Sequence, residues 1–285
     1  MDPGAEVESK RQMPEPLTLQ QAADQLGVHY MTVYRYVRTG KLPATRMGGG
    51  WRVDPDDLAR MKPAASPKTA ARAVATAAQL EARLLASDET GAWAVLEAAL
   101  ASGHSPSDVL LQLVAPALES IGERWHAGEL TVADEHRASA VAVRLIARLG
   151  ARFARRGPKR GSVVITTPPA ELHSAPVAMA ADLLRWAGFN AIELGADTPA
   201  DALAQALVDV PDLLAVAMAC TTEKSTASAR RVIAHLRKTL PGTTVLVGGA
   251  AIADADQALR LGADGFSGRR GDDLVRAVEE VALRR

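Results

Sequence analysis

Cysteine is almost missing: Cys220 is the single one in 285 residues. That excludes an intramolecular disulfide and any metal site built from several thiolates. In the apolar run Leu213–Cys220 the lone thiol reads as buried and unreactive. Aromatic residues are scarce at 4%, yet 48% hydrophobic residues leave ample material for two or three alanine-rich domains. Neither sign of charge is in excess, with 33 basic and 33 acidic side chains. No global field therefore draws the chain to nucleic acid or membrane, and such binding must come from local clustering. No stretch approaches the roughly 20 uncharged apolar residues of a membrane span. The opening MDPGAEVESKRQMPEP is polar and acidic, without a signal peptide's apolar core. Cytoplasmic residence is the expectation. No nucleophile, base and acid are visible together, so an enzyme acting on a separate substrate is not expected.

Residues 1–16, charged and with three prolines, read as a disordered tail. From Leu17 to Val28, Thr18 and Gln21 have the spacing of a capping box, and Ala22, Ala23 and Leu26 share a helical face. Gly27 ends that helix. A second helix is predicted from Tyr30 to Arg38, with Val33 and Val37 inward and Tyr30, Thr32, Tyr34 and Arg35 on its exposed part. Two short helices across a tight glycine turn make a helix-turn-helix. Between His29 and Trp51 the positives Arg35, Arg38, Lys41 and Arg46 stand without a carboxylate, and Arg52 follows. That local bias suits phosphate contacts, while the hydroxyls and guanidinium of the second helix suit base edges. Met47–Val53 reads as a glycine-tipped hairpin. Residues 17–61 resemble the winged helix-turn-helix of the MerR and excisionase families, which implies double-stranded operator DNA as partner. Residues 62–71, proline- and alanine-rich, read as a linker.

Residues 72–151 carry apolar side chains at helical spacing, with breaks near Asp88, Ser102-Gly103 and Ala127-Gly128. Four helices in an antiparallel bundle are predicted. Residues 152–160 form a basic connector, more readily solvated than nucleic-acid-binding. Residues 161–285 then alternate five strand-like runs with helical stretches, beginning at Val163–Thr167. Such alternation predicts a flavodoxin-like, doubly wound parallel sheet.

His173 sits where the first of these strands ends, the usual place for a ligand in an open α/β sheet, and an imidazole there can coordinate a metal. Glu171, two residues upstream, is placed to orient the ring. Gly248-Gly249 follows the fourth strand, where missing side chains let a ligand approach the backbone. The loop Glu171-Leu172-His173-Ser174-Ala175-Pro176 resembles the Asp-x-His-x-x-Gly loop of the cobalamin-binding family, with Glu171 for aspartate and Pro176 for the last glycine. Trp125, nine intervening residues and Glu135-His136 resemble the Trp-x9-Glu-His signature of the CarH and LitR family of adenosylcobalamin photoreceptors. The resemblance implies adenosylcobalamin as cofactor and His173 as the lower cobalt ligand. It further implies that Trp125 and Glu135 lie against the adenosyl group and that His136 takes the upper cobalt position after photolysis. Gly248, Gly249 and Thr221, or Thr222 beside it, would adjoin the nucleotide tail, since the family's Ser-x-Leu after the third strand is here Met218-Ala219-Cys220. A light-responsive transcriptional regulator, a repressor that is tetrameric in the dark, is the implied function. A corrinoid carrier or methyltransferase subunit shares the two lower modules, and a regulator sensing another ligand is a third reading.

Overall fold

The computed structural model describes residues 15–26, 28–47, 50–61 and 77–284. The chain divides into two compact units, residues 1–65 and 66–285. Apart from exposed Glu15 and Pro16, the tail expected over 1–16 lies outside the described residues, as do the linker 62–71 and Gly27, Gly48 and Gly49.

In the first unit the order is β1 (Leu17–Thr18), α1 (Leu19–Leu26), α2 (Tyr30–Arg38), β2 (Thr45–Met47), β3 (Gly50–Val53) and α3 (Pro55–Arg60). The Thr18 N–H donates to Gln21 Oε1 at 2.8 Å and the Gln21 N–H to Thr18 Oγ1 at 3.2 Å, the reciprocal pair the spacing predicts. Val33 and Val37 point into the core. The three strands pair antiparallel in the order β1-β3-β2, so the hairpin β2–β3 is tied to the start of the domain.

The second unit begins with four helical segments in the predicted places. These are α4 (residues 77–85), α5 (Glu89–Ala101), a long third helix and α8 (Val132–Gly150). The third is not uniform: α6 (Pro106–Val109) passes through a π-helical turn (Leu110–Val114) into α7 (Ala115–His126). Pro116 accounts for the irregularity, because it has no N–H to give to the turn before it. The Ala115 N–H reaches back to the Leu110 carbonyl. The carbonyl of Leu111 receives the Arg270 guanidinium instead, at 3.4 Å. Asp88, Ser105 and Thr131 cap the helices that follow them, each accepting from the backbone N–H of the third helical residue.

The basic connector departs from expectation in part. Most of its residues are exposed as expected, but at its start it turns through Ala151–Phe153 and sinks Phe153 fully, edge-on to Trp186 at 6.1 Å. Arg155 lies over the same indole at 4.7 Å, and Arg160 covers Phe189 at 4.4 Å while bonding Glu279 at 2.6 Å. A buried ring and cation–π contacts thus anchor an otherwise solvated segment. Phe153→Ala is expected to cost about 3–5 kcal/mol and lower the thermal midpoint by roughly 10 °C. A calorimetric shift under about 2 °C would show that the connector is not part of the core.

The sheet follows: β4 (Ser162–Thr166), α9 (Ala175–Ala187), β5 (Asn190–Gly195), α10 (Ala200–Leu207), β6 (Leu213–Ala219), α11 (Glu223–Thr239), β7 (Val245–Gly248), α12 (Ala255–Arg260), β8 (Gly265–Phe266) and α13 (Gly271–Leu283). All neighbours are parallel and the order is β5-β4-β6-β7-β8. Val164, Val216, Val245 and Val247 are buried with Val232, Ile233 and Leu236 of α11, as near-continuous apolar strands covered on both faces require. The strand order reverses between β4 and β6, and such a switch point is where open α/β sheets bind ligands. Helix α8 packs on α9, bringing the bundle against this α/β layer.

Candidate functional site

The loop between β4 and α9 carries Glu171 and His173 to that switch point. Glu171 is completely buried, a costly place for a carboxylate unless every lone pair is used. Its Oε1 lies 2.5 Å from His173 Nδ1. Its Oε2 accepts the N–H of Thr221 at 2.8 Å and of Thr222 at 3.0 Å, and the Thr222 hydroxyl at 3.2 Å. Burial pushes Glu171 up, but the bonds from His173 and Thr221 outweigh it and hold the carboxyl well below the usual carboxylate range. The Glu171 bond in turn raises His173, against burial, with Glu135 adding to the rise. An ionised Glu171 can only accept, so Nδ1 carries the proton, and when the half-exposed ring is neutral Nε2 is its bare nitrogen. That is the tautomer a metal ligand needs.

Thr221 has a contact that the sequence did not suggest. Its N–H serves the carboxylate, and its Oγ1 lies 2.8 Å from His173 Nδ1. The reason is topological: β4 and β6 are adjacent, so the residues just past β6 fall over the β4 loop.

On the bundle, Thr131 forms a capping box with Asp134, which sets Glu135 and His136 in the first turn of α8. Glu135 accepts the Ser139 hydroxyl at 2.6 Å and meets His136 Nδ1 at 2.5 Å, so His136 too presents Nε2 outward from an exposed ring. Burial works upward on Glu135, but Ser139, His136 and the field of His173 hold it low. Glu135 is thus brought within electrostatic reach of His173. Trp125, 37% exposed, closes α7 with its indole edge-on to His126 at 4.7 Å.

Gly248 ends β7. A Cβ there would come within 2.3 Å of the Gly268 carbonyl, and one on Gly249, at φ +104°, within 2.4 Å of the Cys220 carbonyl. The glycine pair is therefore demanded first by the protein's own loops, which close on it through Cys220 N–H to Gly248 O at 2.8 Å and Gly249 N–H to Gly268 O at 2.8 Å. Beside it runs a narrow apolar crevice lined by Ile165, Pro176, Ala180, Met218, Gly249 and Leu274. Pro176 is the second residue of α9, where a missing N–H costs nothing. Burial pushes the Cys220 thiol up to about 12, consistent with an inert side chain. Sequence reading missed Thr167 and Asp197, which hydrogen-bond the backbone of the Glu171 loop. Their position after adjacent strands was the available signal.

The first unit corrects the base-reading set. Tyr30, Thr32 and Tyr34, expected on an exposed surface, are buried, at 6%, 5% and 2% exposure. One turn apart, Tyr30 and Tyr34 stack with ring centroids 6.3 Å apart, and ring area of that size is drawn out of water. Arg38 and Arg46 are exposed and Arg35 and Arg52 half-buried. Arg35 lies 5.5 Å from the Tyr36 ring and Arg46 5.4 Å from that of Trp51.

Residues 16–62 match a helix-turn-helix domain, and residues 76–149 and 161–279 each match a B12 binding domain. The chain is therefore a helix-turn-helix protein joined to a two-part B12-binding module. It is 36% identical over 169 residues to the HTH-type transcriptional repressor CarH of Myxococcus xanthus, across 58% of this chain and 54% of that one. Its order of domains, helix-turn-helix followed by two B12 binding domains, is shared with a CarH-type architecture, and it spans only about half the repressor's length. It is also 26% identical over 202 residues to trimethylamine corrinoid protein 1 of Methanosarcina acetivorans, across 69% of this chain and 92% of that one. The monomethylamine corrinoid protein of Methanosarcina barkeri shares the fold, with a TM-score of 0.61 at 15% identity over 72% of this chain and 95% of that one. Among the described residues no helix is long and apolar enough to cross a membrane.

Proposed function

We propose that the chain is a cobalamin-loaded, light-responsive transcriptional repressor, with residues 17–61 as DNA-binding head, 72–151 as cap and 161–285 as corrinoid-binding base. One observation carries the reading: the base holds an imidazole, His173, by its Nδ1 on the buried carboxylate of Glu171 at the end of β4, and the cap, whose α8 packs on α9, carries a second carboxylate-held imidazole, Glu135–His136. The residues suit a corrinoid, because both rings have Nδ1 engaged and Nε2 available and the apolar crevice beside Gly249 continues the site. His173 would hold the lower face, with Trp125 and Glu135 against an adenosyl group and His136 as the replacement upper ligand. When bound, adenosylcobalamin supplies a cobalt–carbon bond that green light breaks. The chain's own part is to hold α7 and α8 over the base in one arrangement with the adenosyl group present and another without it, which biases assembly. A head with so few basic side chains binds DNA weakly alone, and joining several in a tetramer raises apparent affinity through effective concentration.

Size-exclusion chromatography of adenosylcobalamin-loaded protein, in darkness and after green light, tests this alongside binding to DNA selected in vitro on the dark protein. A dark oligomer that dissociates and releases DNA is expected. Identical elution and identical DNA affinity would sink the switch. The likeness to the trimethylamine corrinoid protein favours, as second reading, a corrinoid carrier. The helix-turn-helix at 16–62 speaks against it, since a carrier needs none.

A further inference from the structure

The Glu171–His173 loop is held by a brace from the other side of β4. After β5, Asp197 donates its N–H to the Glu171 carbonyl at 3.0 Å and to Thr167 Oγ1 at 2.8 Å. Its Oδ1 accepts the Ala170 N–H at 2.7 Å. The Thr167 hydroxyl donates to the same Glu171 carbonyl at 2.6 Å. One strand away, Thr166 Oγ1 meets Thr198 Oγ1 at 2.6 Å, pinning the base of the Asp197 loop.

Two of these residues lie in the left-handed region without being glycine: Ala170 at φ +69° and Asp197 at φ +56°. Side chains seldom adopt that conformation, and it persists where surrounding bonds over-determine it. Here the two strained residues are bonded to each other. Ala170 immediately precedes Glu171, so its φ sets where the buried carboxylate enters, and the carboxylate sets the ring. Thr221 and Thr222 hold the carboxylate's Oε2 from one flank, and Asp197 holds the backbone from the other.

We infer that Asp197 is a positioning residue for His173: it locks Ala170 in the left-handed turn that delivers Glu171 to Nδ1, and so keeps Nε2 bare and aimed outward. The inference rests on the proposed corrinoid role for its consequence, but its geometry is testable without cofactor. Asp197→Asn keeps an oxygen acceptor and tolerates the left-handed turn. Asp197→Gly removes the acceptor while relieving the strain, and Asp197→Ala removes the acceptor and keeps the strain. Nitrogen-15 NMR of His173 in the ligand-free full chain, at a pH high enough for the ring to be neutral, is expected to show the Nδ1-protonated ring in the unaltered and Asn proteins. In the Gly protein it is expected to show a mixture of tautomers. Hydroxocobalamin affinity should follow, unchanged within about twofold for Asn and about 10–100-fold weaker for Gly, the range for partners that orient a metal-binding histidine. Should the Ala protein fail to fold, the Gly and Asn pair decides. A Gly protein with an unaltered His173 tautomer overturns the inference, even if its melting point falls, because Asp197 would then be structural only. If the unaltered chain binds no hydroxocobalamin, the proposed function fails while the NMR comparison still decides the positioning role.

Discussion

His173→Ala is expected to weaken hydroxocobalamin binding by more than about 100-fold, beyond the range for loss of a partner that merely orients a metal ligand. Whatever corrinoid remains should show the base-off spectrum. The expectation follows from how much structure is devoted to one nitrogen. A fully buried carboxylate, two backbone N–H groups and a threonine hydroxyl fix the ring by its Nδ1, leaving only Nε2 to act. Glu171→Gln should have a smaller effect, about 10–100-fold, since the ring remains but its orienting charge is gone. It should also fold less stably, because Oε2 accepts three bonds that the amide NH₂ cannot accept if it turns that way. Equilibrium dialysis read by absorbance distinguishes the two. Unchanged retention and an unchanged spectrum in His173→Ala would remove the metal role altogether.

The Arg35→Ala, Arg38→Ala double variant is expected to lose at least about 10-fold in affinity for DNA selected on the unaltered protein, with the salt dependence shallower by about one unit per lost phosphate contact. With Tyr30, Thr32 and Tyr34 buried, the two arginines are what α2 retains of the expected contact set. Arg155→Ala, Arg156→Ala should leave affinity nearly unchanged. Arg155 is occupied over the Trp186 ring, in a connector anchored by Phe153. Fluorescence anisotropy at several salt concentrations measures both. Equal losses from the two pairs would place DNA on the connector instead.

Much of this was legible along the chain because it depends on near neighbours. The Thr18–Gln21 box, the Ser105 and Thr131 caps and the breaks at Gly103 and Gly128 are local chemistry, and each appears where its residues stand. Five apolar runs with helices between them suffice for a parallel sheet. Glu171 and His173 are two residues apart, so their pairing needed no long-range knowledge. Tyr30, Thr32 and Tyr34 show the limit of the same reasoning: helical spacing says which side chains share a face, not which face is covered.

What only the tertiary structure decided concerns residues brought together by the sheet. Thr221 and Thr222 reach Glu171 across fifty positions, and Asp197 reaches Ala170 from the opposite flank, because β6 and β5 lie on either side of β4. Phe153 is core because Trp186 comes to meet it. Gly248 and Gly249 are glycines because the loops carrying Gly268 and Cys220 close on them. By itself the sequence determined the elements, their order and the imidazole at the strand end, all governed by interactions a few residues apart. The neighbours of that imidazole, and with them the protonation of Nδ1 and the freedom of Nε2, were decided by strand order, which no local pattern encodes.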